Sequence, residues 1–250
     1  MNGDLFEYAL RLGDDALVLA QRLAAWCAHA PEIEEDVALA NVALDLLGQA
    51  RELLAYAGEV EGAGRDEDDL AYLRDEHEFR NALIVEHENG DFAVTIVRQL
   101  LFSAYQLELY PRLERSRDER LAGVAAKAAK EVAYHVDHAG VWTLRLGDGT
   151  EESRARAQAA LERLWPYAHE LFEPDAVTGR LAAAGVGVDP AELRPGWERR
   201  VGAVLAEATL EPPPGGPRPS GGRAGRHTEA MGYLLAELQH LHRSHPGVAW

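Results

Sequence analysis

Residues 10–51 read LRLGDDALVLAQRLAAWCAHAPEIEEDVALANVALDLLGQAR. Before Pro31, Leu12, Ala16, Leu19, Leu23 and Trp26 recur at steps of three and four, the period of one helix face. Leu5 and Tyr8 extend the stripe toward the N-terminus, which predicts a helix over about 4–28. After Pro31, Val37, Ala40, Leu44, Leu47 and Leu54 predict a second helix over about 34–57 with that stripe facing inward. Glu34, Glu35 and Asp36 sit in its first turn, where negative charge suits the helix dipole. Gly58 is the expected C-terminal stop.

Working outward, residues 66–87 are charged but periodic and predict a shorter helix, closed by the turn-forming pair Asn89-Gly90. A third long helix is expected over about 91–116, with Pro111 near its end. A fourth is expected over about 118–146, with Leu121, Val124, Ala128, Glu131, His135, Trp142 and Leu146 as its stripe. Further helices are expected over about 150–172, 190–209 and 228–243. The run EPPPGGPRPSGGRAGR at 211–226 cannot hold a helix and reads as an ordered loop or a mobile linker. No strand pattern and no repeat is evident. Four long helices, with the longer connection between the second and third, match the single-crossover ferritin-like arrangement. The expected fold is therefore all-α: a single ferritin-like domain over 1–250, with an up-down four-helix core over about 4–147 and extra C-terminal helices over about 150–250.

Composition narrows the partners. The chain of 250 residues carries a formal net charge of −17, and so acidic a surface repels phosphate backbones and anionic membranes. The cluster Glu59, Glu61, Asp66, Glu67, Asp68 and Asp69 reads as a solvated loop. No apolar run is long enough to span a membrane, and Met1-Asn2-Gly3-Asp4 does not open a signal or transit peptide. The single cysteine, Cys27, permits no internal disulfide and is expected to be buried in a helix. A cytoplasmic location is the expectation.

A ferritin-like di-iron centre needs a carboxylate from each of two helices and Glu-x-x-His from each of the other two. Residues i and i+3 share a helix face, so carboxylate and imidazole can converge on one ion pair. The first helix offers Asp14 and Asp15. The second offers Asp45, but Gly48 stands three residues on and the helix has no histidine. The third offers Gln99, Gln106 and Glu108, none paired with histidine. The fourth offers Glu131 followed by Tyr134 at i+3, with His135 at i+4 and His138 a turn later. The expected arrangement is a buried polar network of Asp15, Asp45, Glu131 and His135, with no catalytic residue, metal or cofactor on the chain. The alternative is an active oxygenase with an unusual metal site at Glu131, His135 and His138. His227, His240, His242 and His245 are expected at the surface or an interface, and Gly221-Gly222 is a weak signal.

Four segments carry a resemblance: 10–51, NGDFAVTIVRQLLFSAYQLELYPRL (89–113), KAAKEVAYHVDHAGVWTLRLGDGTEES (127–153) and GRHTEAMGYLLAELQHLHRSHPGVAW (225–250). With their D-L-L-G-Q-A-R, K-E-x-x-Y-H and H-T-E-x-x-x-x-L-L-A-E motifs, they resemble the C-subunit family of phenylacetyl-CoA 1,2-epoxidase. That multicomponent enzyme oxygenates the aromatic ring in aerobic phenylacetate breakdown. The resemblance implies a structural, non-catalytic subunit that lacks the di-iron ligands of its homologous catalytic A subunit. It implies a complex with that subunit, which carries the di-iron centre, and with a small B subunit. Asp45, Glu131 and His135 match the degraded metal motif. Ala24, Ala25, Ala28, Ala38, Ala40 and Ala43 would allow close helix approach, to a partner or within the bundle.

Overall fold

The computed structural model describes residues 2–248. Among the described residues ten α-helices follow one another: α1 (Asn2–Ala24), α2 (Ile33–Glu61), α3 (Glu67–Tyr72), α4 (Leu83–Glu86), α5 (Phe92–Leu113), α6 (Glu119–Gly147), α7 (Glu151–Ala168), α8 (Ala176–Ala183), α9 (Arg194–Glu207) and α10 (Glu229–Ser244), with short 3-10 turns between some of them. No strand occurs among the described residues. The fold is all-α, in keeping with the ferritin-like class. Its helices gather into two compact units, one formed by the chain up to Glu88 together with the segment from Gly221, the other by Asn89–Ser220.

In the first unit α1 lies along α2, α4 and α10 close over α1, and α3 packs against α2 and α10. Every residue of α1 from Tyr8 to Ala20 is buried. The helix ends earlier than its apolar stripe suggests. Asp36 reaches back to accept hydrogen bonds from the Ala28 and Ala30 amides at 2.8 and 3.2 Å, and Ala28 takes a positive φ of 67°. That turn leaves Cys27 exposed rather than buried in a helix.

α2 departs from expectation in two ways. It runs through Gly58 and stops at Gly62, which has φ 69° and donates its amide to the Gly58 carbonyl. Gly58 serves close approach instead, since a Cβ there would collide with the Arg65 carbonyl oxygen. Its buried face is Leu39, Val42, Leu46, Leu53, Leu54 and Ala57, whereas Val37, Leu44 and Leu47 point outward. α2 carries apolar residues on two faces, and helical spacing alone fits both.

The second unit is built around α5, which is buried at every position from Ala93 to Gln106. It packs against α6, α7 and α9. An aromatic cluster of Tyr105, Phe172, Trp165 and Trp197 sits beside it, with ring centroids 5.1–5.8 Å apart. The Trp197 indole donates to the Leu101 carbonyl at 2.8 Å, so its polar edge is satisfied inside. Asp91 and Asp118 cap α5 and α6 by accepting from the Val94 and Leu121 amides. α8 goes beyond the sequence reading. Asp175 caps it by accepting from the Val177 and Thr178 amides, and the Thr178 hydroxyl completes a capping box.

Candidate functional site

Asp14 and Asp15 are both buried in the middle of α1. Neighbours in a helix point about 100° apart, so the two carboxylates meet different partners. Asp14 is gripped on both oxygens by the Arg74 guanidinium, with Nη1 at 3.0 Å, and accepts from the Arg80 amide at 2.8 Å. Arg74 is itself buried, with its guanidinium 4.1 Å above the Phe79 ring. Asp15 is gripped by Arg223, at 3.0 and 2.7 Å, and accepts from the Ala82 amide at 2.7 Å. Burial is the largest influence on Asp15 and leaves its pKa above the ordinary 3.8, with Arg223 and the Ala82 amide pulling the other way.

A third acid lies beside them. Glu86 is fully buried and receives the His227 ring at 2.7 Å, the Asn81 amide nitrogen at 2.9 Å and the Thr228 backbone amide at 2.5 Å. The other ring nitrogen of His227 stands 3.1 Å from the Phe79 carbonyl. Both nitrogens therefore stand against oxygen atoms, an arrangement that favours a proton on each. Burial opposes that charge, but the hydrogen bond and charge of Glu86 and the Phe79 carbonyl outweigh it and raise the pKa above 6.5. His227 is thus an interior ion-pair partner and not a surface histidine. Three buried carboxylates each meet one cation: Asp14 with Arg74, Asp15 with Arg223, Glu86 with His227.

The segment that delivers Arg223 and His227 is ordered by contact. Gly222 opens a 3-10 turn at Gly222–Ala224, and a Cβ on it would collide with the Asn81 carbonyl oxygen. Gly225, at φ 73°, presses equally closely on the His77 carbonyl. Of the pair Gly221-Gly222, a weak signal in the sequence, Gly222 brings backbone against backbone, while Gly221 makes room for the Arg226 side chain. Arg223 also donates to the Arg80 and Arg11 carbonyls at 2.9 and 3.3 Å.

The other residues singled out by sequence lie as follows. Asp45 is half-buried on α2. On α6, Glu131 is half-buried with the Lys127 amine at 3.5 Å. His135 is fully buried, and Tyr134 stacks on His138 with ring centroids 6.0 Å apart. Glu108 answers Arg112 at 3.0 Å. Gln99 is fully buried, and neither of its amide atoms has a hydrogen-bonding partner among the described residues. Among the described residues no three His, Cys, Asp or Glu side chains stand together as a set able to hold a metal ion. In the first unit guanidinium and imidazolium groups occupy the places around the buried carboxylates that a cation would need. This donor set does not fit a di-iron centre. Arg74, Glu86 and Arg223 escaped the sequence reading, and His227 was expected at the surface or an interface. The signal that could have placed Arg223 and His227 inside was the close-packing glycines at 222 and 225.

The chain matches the phenylacetic acid catabolic protein family across residues 1–250. It belongs to that family. Within the phenylacetic acid catabolic proteins it is similar to the C subunit of 1,2-phenylacetyl-CoA epoxidase from Escherichia coli strain K12, with 50% identity over 246 residues, 98% of this chain and 99% of the relative. The resemblance carried by the four quoted segments therefore extends along the whole chain. No helix among the described residues is long and apolar enough to cross a membrane.

Proposed function

We propose that the chain is a non-catalytic, structural subunit of a multicomponent phenylacetyl-CoA 1,2-epoxidase in the cytoplasm. It holds no cofactor and supports a homologous catalytic subunit that carries the di-iron centre, together with a small third subunit. The end-to-end likeness to an epoxidase C subunit supports the assignment to such a complex. The observation that carries the non-catalytic role is the answered acid: Asp14, Asp15 and Glu86 each face a protein cation. A carboxylate committed to a buried arginine would have to break that pair before binding a metal ion, at a cost of several kcal/mol.

Metal analysis and co-expression test this together. The purified chain is expected to hold no stoichiometric iron and to co-elute with the catalytic subunit when the two are expressed together. About two irons per chain, as a ferritin-like centre requires, would overturn the non-catalytic role. Failure to co-elute would overturn the assignment to the complex.

A further inference from the structure

The outer face of α2 takes no part in the ion-pair core. Ile33, Val37, Leu44 and Leu47 are 80%, 56%, 64% and 46% exposed. With the half-buried Ala40 they follow one another at steps of four, three, four and three. That is the 3.5-residue seam along which one helix packs against another, and it runs for about 21 Å. Alongside lies an apolar groove of about 350 Å³, floored by Leu17, Leu23, Ala43 and Leu238 and shared with Leu44 and Leu47. A contiguous apolar strip beside a groove marks an interaction surface.

Charge selects the occupant. One edge of the seam carries Glu34, Asp45 and Glu52, each displaced by one position from a seam residue or its continuation. The nearby base, Arg51, is turned to Glu67 at 3.2 Å. A second copy of the chain would bring the same acidic edge against itself about a two-fold axis, on molecules already at −17. A different subunit, with lysine or arginine beside its apolar seam, meets the edge with opposite charge.

We propose that the outer face of α2 and its groove dock an amphipathic helix of the catalytic partner subunit, apolar at alternating three- and four-residue steps and flanked by lysine or arginine. This rests on the proposed complex. The helix-in-groove contact removes the α2 strip from water, and the acidic edge fixes which helix is accepted.

Calorimetric titration of the full chain into the purified catalytic subunit tests it. Val37→Glu with Leu44→Glu is expected to weaken binding by about 100-fold or more. Circular dichroism and the melting temperature should stay unchanged, because both side chains face solvent. Asp45→Lys with Glu52→Lys is expected to weaken binding by about 10-fold in dilute salt, a loss that fades in concentrated salt. Wild-type affinity for the Val37/Leu44 variant would overturn the docking face and leave the subunit reading standing. No binding by the wild-type chain would overturn the subunit reading. A wild-type homodimer dissolved by the Val37/Leu44 variant, or tighter binding after the Asp45/Glu52 reversal, would overturn the basic heteromeric partner.

Discussion

Arg223 answers a carboxylate that retains only 3% of its side-chain exposure. Replacing it with methionine keeps much of the volume and leaves Asp15 with the Ala82 amide and no cation. Arg223→Met is expected to cost about 3 kcal/mol in urea unfolding, because an unanswered buried charge costs more than the pair contributes. Asp15→Asn in the same chain should recover part of that loss. A single-variant cost below about 1 kcal/mol would mean that the pair does not hold the segment. His227 gives stability a pH dependence. Its folded pKa lies above 6.5, so its contribution is complete below about pH 6.5 and fades as pH climbs through the folded value. Urea midpoints are expected to fall from about pH 6 to about pH 9, and His227→Gln should flatten that slope. An unchanged slope in the variant would place the titration elsewhere. Asp15 was legible as a polar residue on an inward face, and His135 likewise. Their partners were not, because side chains far apart in sequence meet only through the fold.

At the scale of elements, glycine separates contact from mere flexibility. Gly222→Ala places a methyl group against the Asn81 carbonyl. It is expected to lower stability by about 2 kcal/mol and, by lifting the 3-10 turn, to make the region of Arg223 cleavable by trypsin in the native protein. Gly123 in α6 faces open space, and Gly123→Ala should instead raise stability by about 0.5–1 kcal/mol. Equal effects at both positions would refute the close approach at Gly222. The long helices were legible to within a few residues because their apolar period persists over many turns. Their ends were less so: Asp36 stops α1 from a distance, and Gly58 looks like a cap but is a contact. α8 spans only Ala176–Ala183, too short for periodicity to reveal it, although Asp175 and Thr178 form a capping box at its start.

Across the whole molecule, the sequence conveyed the all-α class and the family, both of which are spread over hundreds of positions. It did not convey which apolar face of α2 turns inward, because the two alternatives share one period and only packing chooses between them. The same holds for the three ion pairs, whose acids lie in roughly the first third of the chain and two of whose cations lie near its end. Asp15 and Arg223 are 208 positions apart, and that separation bears on how the protein is made. A chain growing on the ribosome carries the Asp15 carboxylate well before the matching guanidinium, which is added 208 positions later. Until then burial of that acid in α1 has no cation to offset it, so a chain interrupted before Arg223 is expected to hold α1 loosely. The ion pair thereby ties the final closing of α1 to the arrival of the segment that carries Arg223.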